Sequence, residues 1–257
     1  ALVRDGIQLH LGVKTTQVAR HGDETVLTLE SGSSTVELRG DALLVSVGRA
    51  PNVDGLGLEA AGVTFDGRTG VQVDDQLRTS NADVFAAGDV ASQYKFTHTA
   101  DFLARIVIRN ALFGGRAKAS ALTVPWATYT DPEIAHVGLY AHEAEERGVA
   151  IDTYEQPLSG NDRALLEGET EGFVKIHTAK GKDTILGATL VGPHAGDLIS
   201  EISVAMVGGV GLGTVGNTIH PYPTTAAAIR RLRAASGRSK LPPFVAKLMA
   251  RWLKFRR

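Results

Sequence analysis

Residues 83–113, DVFAAGDVASQYKFTHTADFLARIVIRNALF, limit the fold more than any other stretch of the chain. An apolar run, Val84-Phe85-Ala86-Ala87, has the length and composition of a buried strand and stops at Gly88-Asp89. Glycine permits a tight turn with close backbone approach, and an acid directly after a strand is placed to accept a hydrogen bond from a hydroxyl-bearing ligand. From Thr97 onward Phe102, Leu103, Ile106, Val107, Ala111 and Leu112 recur at helical spacing, until Gly114-Gly115 ends the pattern. The unit reads as strand, ligand loop, helix. The same residues equally describe a plain turn in which Asp89 caps the next element.

Upstream, Ile7-Gln8-Leu9-His10-Leu11, Val26-Leu27-Thr28-Leu29 and Ser34-Thr35-Val36-Glu37-Leu38 alternate polar and apolar residues. His21-Gly22-Asp23 and Ser31-Gly32-Ser33 punctuate them, which predicts strands and hairpins. The run Ala42-Leu43-Leu44-Val45-Ser46-Val47 is continuous, as in a strand buried on both faces, and ends at Gly48-Arg49-Ala50-Pro51-Asn52. A short helix closed by Gly62 and a strand through Gly70-Val71-Gln72-Val73 are expected next.

Composition shifts at Val124. PWATYTDPEIAHVGL is followed by a helical pattern from Ala141 to Arg147, with Glu143, Glu145 and Glu146 on its exposed side and Gly148 after its end. Strand-like runs at residues 172–177 and 185–192 flank a turn at Ala179-Lys180-Gly181-Lys182, and residues 197–207 return to helical spacing. Strands flanked by helices predict an α+β domain here. His136 and His142, with Glu143 and Glu145 nearby, lack the compact spacing of a closed metal site and read as surface helix.

The chain has 257 residues, 43% hydrophobic and 21% charged, which suits one large or two modest globular domains. A formal net charge of -1 supplies no overall field for nucleic acid, so nucleic-acid binding is disfavoured. No apolar run is long enough to span a bilayer, and a cytoplasmic location is expected. The basic end, residues 240–257, sets Phe244, Val245, Leu248, Trp252, Leu253 and Phe255 among Lys247, Arg251, Lys254, Arg256 and Arg257. Such a segment reads either as a peripheral helix on an anionic membrane or as a helix docked on its own protein.

AAGDVA followed by FTHTADFLARIVIRNALF resembles the flavin-contacting segment of the pyridine nucleotide-disulfide oxidoreductases, the family of lipoamide dehydrogenase and mercuric reductase. VGRAPN resembles the sequence closing that family's nicotinamide domain. The succession TDPEIAHVG, GFVKI, ILGATLVGPHAG, LISE and HPYPT resembles its interface domain. The resemblance implies an α/β FAD/NAD(P)-binding fold with an α+β dimerisation domain. It divides the chain into the end of the NAD(P)-binding domain (residues 1–52), the end of the FAD-binding domain (53–123), the dimerisation domain (124–235) and a basic tail (236–257).

By that resemblance Asp89, after Gly88, binds the ribityl chain of FAD. Ala91 and His98 lie beside the flavin, and Gly48 and Arg49 form the turn approached by cofactor. NAD(P)H as reductant, a small-molecule electron acceptor and a homodimer whose last loop reaches the partner's flavin are implied with them. The family's redox Cys pair and first GxGxxG loop have no counterpart in these 257 residues, which hold no Cys. The chain is therefore expected to be the C-terminal part of a longer enzyme. The alternative is a noncatalytic dimerisation and FAD-contacting subunit of a split flavoprotein.

The last loop, His220-Pro221-Tyr222-Pro223-Thr224, departs from the reductases that place His before Pro-Thr and Glu five residues later; here those positions are Tyr222 and Ala227. Tyr at that position resembles mercuric reductase, where the phenol lies at the substrate end of the site. With no thiolate ligand in the chain, mercury chemistry has no visible support. Tyr222 is expected as a substrate-side hydroxyl, with His220, an imidazole two residues upstream, as the candidate proton carrier. A histidine simply hydrogen-bonded within its own loop is the other reading.

Overall fold

The computed structural model describes residues 1–239, together with Arg251, Trp252 and Phe255. The amphipathic segment at residues 240–257 lies, apart from those three positions, outside the described residues.

Three antiparallel strands open the chain: β1 (Lys14–His21), β2 (Glu24–Ser31) and β3 (Ser34–Gly40), in the order β1-β2-β3. Gly22 and Gly32 take φ of 62° and 60° in the two tight turns, a conformation that costs glycine least. Val26 and Leu29 are buried. These two lie on opposite faces of β2, and β3 has no buried residue, so the glycine turns and the backbone ladder set the hairpin; β1, KTTQVARH, carries too little apolar signal to announce itself.

Several expected strands do not form. Residues 7–11 and 42–47 are irregular, and in the latter run Leu44, Val45 and Val47 are 89%, 68% and 91% exposed. Val84-Phe85-Ala86-Ala87 makes only an isolated bridge from Phe85 to Arg78. A strand needs a neighbour to accept its ladder hydrogen bonds, and among the described residues these runs have almost none. The helix expected before Gly62 is a turn, with Ala61 N donating to Gly57 O at 3.1 Å. The strand around Gly70 shrinks to β5 (Gly70–Val71), paired with β4 (Phe65–Asp66).

Helix α1 (Thr97–Phe113) forms where the periodicity places it and ends at Gly114, φ 62°. Its buried face is Thr99, Leu103, Ile106 and Asn110, however, while Phe102 and Leu112 are exposed. Asn110 earns its buried place by bonding: Nδ2 donates to Gln76 O and Ala117 O, and Oδ1 accepts from Ala117 N.

The rest of the chain builds one core. Strands β6 (Pro125–Thr128), β7 (Glu133–Gly138), β8 (Ile151–Pro157), β9 (Phe173–Ala179) and β10 (Ile185–Gly192) form an antiparallel sheet in the order β6-β7-β10-β9-β8. Helix α4 (Ala195–Val207) packs on β6, β7 and β10, and α6 (Ala227–Ser239) on β8 and β9. Between these α5 (Leu212–Asn217) adds Leu212 and Val215, while Ala135, Val137, Val174, Ile176, Ala188 and Leu190 face inward from the sheet. Alternate strand residues and every third or fourth helix residue thus meet in one apolar layer.

Two short helices sit outside that layer, α2 (Ala141–Glu146) and α3 (Asp162–Glu167). The expected acidic exposed face of α2 is partly corrected: the half-buried Glu143 carboxylate accepts from Tyr140 N at 3.0 Å. His136 is a correction too. It lies on β7, 2% exposed, with its ring stacked on Tyr140 and its nitrogens meeting Thr189 Oγ1 and Gly138 O. Among the described residues no group of three His, Cys, Asp or Glu is arranged to hold a metal, and no helix is long and apolar enough to cross a membrane.

Candidate functional site

The sequence-selected residues fall into two places. The first is the turn before α1. Gly88-Asp89-Val90 forms one turn of 3-10 helix, closed by Ala91 N donating to Gly88 O at 3.0 Å. Gly88 has φ 81°, and a Cβ there would meet the Ala100 Cβ of α1 at 3.3 Å. Glycine is needed for both reasons. Gly70 seats this turn from below: its φ is 94°, and a Cβ would stand 2.1 Å from Val90 O.

Among the described residues Asp89 has one charged partner, Arg49, whose guanidinium lies 3.5 Å away and also reaches Lys95 O at 3.5 Å. The Asp89 carboxylate is 42% exposed, leaving lone pairs for a ligand's hydroxyls. Lys95 fixes the turn by donating to Asp89 O at 2.8 Å and Ser92 O at 3.1 Å. Gly48, φ 111°, stands in open space, so the backbone beside Arg49 is accessible to an approaching group.

His98, in the first turn of α1, stacks on Phe96 and donates through Nε2 to Pro125 O at 2.7 Å, tying α1 to the C-terminal sheet. Beside it runs a groove of about 640 Å³ between α1, β6 and α4, lined by Phe102, Trp126, Ile199 and Val204 among others. Thr99 also lines it, and the buried Thr99 Oγ1 has no protein hydrogen-bond partner. An unpaired buried hydroxyl is costly unless a ligand or water meets it. A carboxylate aimed at solvent, a backbone turn held open by glycine and an unsatisfied hydroxyl at the helix start together fit a polyol-bearing, ring-bearing cofactor such as FAD.

The second place is the loop after α5. His220 is nearly buried, its side chain 6% exposed. Nδ1 lies 3.0 Å from Thr218 O and Nε2 2.9 Å from Glu201 Oε1 on α4. Both ring nitrogens are thus engaged by groups of the same chain, Thr218 O within the loop and Glu201 on α4. Tyr222 is 77% exposed, followed by a cis peptide bond to Pro223, and Ile219 is 92% exposed. The structure thus brings Gly88, Asp89, Ala91 and Arg49 together, places His98 at the adjoining groove, and holds His220 and Tyr222 on a separate loop.

Lys95, Thr99, Gly70 and Glu201 escaped the sequence reading. Glu201 sits in the helical pattern 19 residues before its partner, and no local spacing links the two.

Models of one family match almost end to end: "Pyridine nucleotide-disulphide oxidoreductase" over residues 1–102 and "Pyridine nucleotide-disulphide oxidoreductase, dimerisation domain" over 124–233. The chain belongs to the pyridine nucleotide-disulfide oxidoreductase family, whose members are FAD-dependent enzymes using NAD(P)H. It is 37% identical to dihydrolipoyl dehydrogenase of Staphylococcus aureus over 216 residues, 82% of this chain and 46% of that protein. It is likewise 37% identical to that of Thermus scotoductus over 231 residues, 89% of this chain and 50% of the relative.

Solved structures agree in fold. LpdA from Mycobacterium tuberculosis superposes with a TM-score of 0.81 at 28% identity, covering 91% of this chain and 50% of that one. The HOCl-induced flavoprotein disulfide reductase RclA from Escherichia coli gives 0.79 at 25% identity, covering 91% and 53%. The chain spans about half the length of the relatives it matches.

Proposed function

We propose that this chain contributes the flavin-contacting turn, the dimer contacts and the substrate-side loop of an FAD-dependent NAD(P)H oxidoreductase of the disulfide reductase type. One observation carries the reading. The Gly88-Asp89 turn presents a solvent-facing carboxylate, positioned by Arg49 and Lys95, directly before a 17-residue helix. With FAD bound, Asp89 would accept from ribityl hydroxyls, Ala91 and His98 would border the ring, and Gly48 and Arg49 would leave room for the nicotinamide side. When bound, the flavin supplies a ring system that accepts hydride from NAD(P)H.

The remaining residues bind, orient and carry protons. Ile219 and Tyr222 leave their own subunit uncovered, and the groove beside His98 is apolar, which supports a homodimer in which the loop of one copy meets the site of the other. Tyr222 presents its hydroxyl to the acceptor, as in mercuric reductase-like members. His220, tied through Nε2 to Glu201, is the one imidazole of this loop and the candidate proton carrier in place of the absent dyad at positions 222 and 227. A cytoplasmic location belongs to the same reading.

The test is the visible spectrum of the purified chain incubated with FAD, with ultracentrifugation in the same buffer. A bound-flavin spectrum on a dimer, lost in Asp89→Ala with the melting temperature unchanged, is expected. A colourless dimer would restrict this chain to assembly. For the proton role, His220→Gln in the full-length flavoenzyme should alter turnover across pH 6 to 9; an unchanged profile removes His220 from the chemistry.

A second reading concerns the tail. Trp252 and Phe255 are helical residues with rings 53% and 91% exposed, which supports peripheral contact with an anionic bilayer. Deleting residues 240–257 should abolish sedimentation of the protein with phosphatidylserine vesicles. If sedimentation persists, the tail is no membrane anchor.

A further inference from the structure

Beside the exposed Tyr222, where the proposed acceptor would arrive, lies a second concavity of about 180 Å³. Its walls come from α3 on one side and the start of α6 on the other. They bring Arg163, Arg230 and Arg231 to one small space with Tyr222 and Thr224, against one carboxylate, Asp162.

The three guanidinium groups are not equivalent. Arg163 is paired with Glu167, and Arg231 bonds Gly160 O and reaches Asp162 at 3.4 Å. Arg230 has no ion-pair partner among the described residues. Its guanidinium donors are therefore open to a ligand at the rim of the concavity.

The concavity is also preformed. Asn161 is 1% exposed; its Oδ1 caps α3 by accepting from Arg163 N and Ala164 N, while its Nδ2 donates to Thr224 O at 3.2 Å and Thr225 O at 3.4 Å. One buried amide therefore fixes the loop bearing Tyr222 against the helix bearing Arg163. A site rigid before its ligand arrives loses less entropy on binding.

Charge along the sequence points the same way. After Glu201 the chain contains no Asp or Glu, and residues 228–257 carry ten Lys and Arg. The remaining residues hold 17 basic against 28 acidic side chains. On α6 itself Arg230, Arg231 and Arg233 thus have no acidic residue on their own element, which favours an anion over a cation at its start.

We propose that this pocket is an oxyanion subsite for the acceptor: Arg230 and Arg163 bind a carboxylate or phosphate on a small-molecule substrate whose reducible end lies toward Tyr222. Guanidinium forks match the planar oxygens of either group. The substrate assignment rests on the oxidoreductase reading given above; the anion site does not.

The test is a titration of the chain, without flavin, with inorganic phosphate followed by 31P line width and with acetate followed by 13C line width. Saturable binding on the order of 1 mM is expected for at least one. It should weaken about tenfold in Arg230→Gln and in Arg163→Gln, each checked for an unchanged melting temperature, and remain in Arg39→Gln on the distant hairpin. Phosphate alone binding identifies a phosphorylated acceptor; acetate alone identifies a carboxylate. No saturable binding of either, or equal weakening in Arg39→Gln, overturns the proposal. Because the readout needs no flavin, loss of the oxidoreductase reading would leave this result standing, and the reverse.

Discussion

Residues 42–47, ALLVSV, and β10, ILGATLVG, carry the same kind of signal, an apolar run bounded by glycine, and meet opposite fates. In β10 Ala188 and Leu190 are 0% and 2% exposed between β7 and β9. In residues 42–47 Leu44 and Val47 face solvent almost fully. The segments differ little in propensity; they differ in whether neighbouring strands exist among the described residues. Burial in a sheet belongs to the set of strands, and the isolated segment holds only the capacity for it.

The contrast breaks most sharply under truncation. Ile202→Ala, at 0% exposure where α4 meets the sheet, should destabilise the C-terminal domain by about 2–5 kcal/mol in urea unfolding. Val47→Ser should stay within about 0.5 kcal/mol. A large loss at Val47 would show that the run is covered in solution.

Two glycines sharpen it further. Gly172 has φ 127°, and a Cβ there would stand 2.0 Å from Val191 O, whereas Gly48 has φ 111° with nothing near. Gly172→Ala adds collision to backbone strain and should cost more than about 3 kcal/mol. Gly48→Ala should cost about 1–2 kcal/mol, from strain alone. Equal thermal shifts would put the two regions on the same footing after all.

The smallest expected effect is pH-dependent. Burial holds the His136 imidazole below its ordinary 6.5, opposed by the bond to Gly138 O. His177 shifts the same way through burial, then Lys175 and His136. The unfolded chain therefore binds protons more readily than the folded one. Their contribution is complete above about pH 6.5 and falls as pH drops below that value. Urea midpoints should decline from pH 7 to 5, less steeply in His136→Gln; parallel declines would assign the effect to other groups.

What the sequence disclosed follows the same division. Helices α1 and α4, the β2–β3 hairpin and the β9–β10 pair were legible because periodicity and glycine punctuation are local. Strands β1 and β8, KTTQVARH and IDTYEQP, were not, since their polar faces dilute the alternation and their partners supply the order. At the site, Gly88 and Asp89 stood out as a motif, whereas Lys95 and Glu201 act through contacts no spacing encodes. Asn110 and Asn161 were equally silent, being polar residues whose burial only their bonding partners explain.

Helix α4 shows what such contacts impose over longer times. Ile199 and Ile202 fill the core, Ser203 and Val204 border the groove, and Glu201 grips His220, all within 13 residues. Rotating or sliding this helix to suit any one duty displaces the other two. Substitutions on α4 are therefore filtered first by folding, whichever of its contacts they alter.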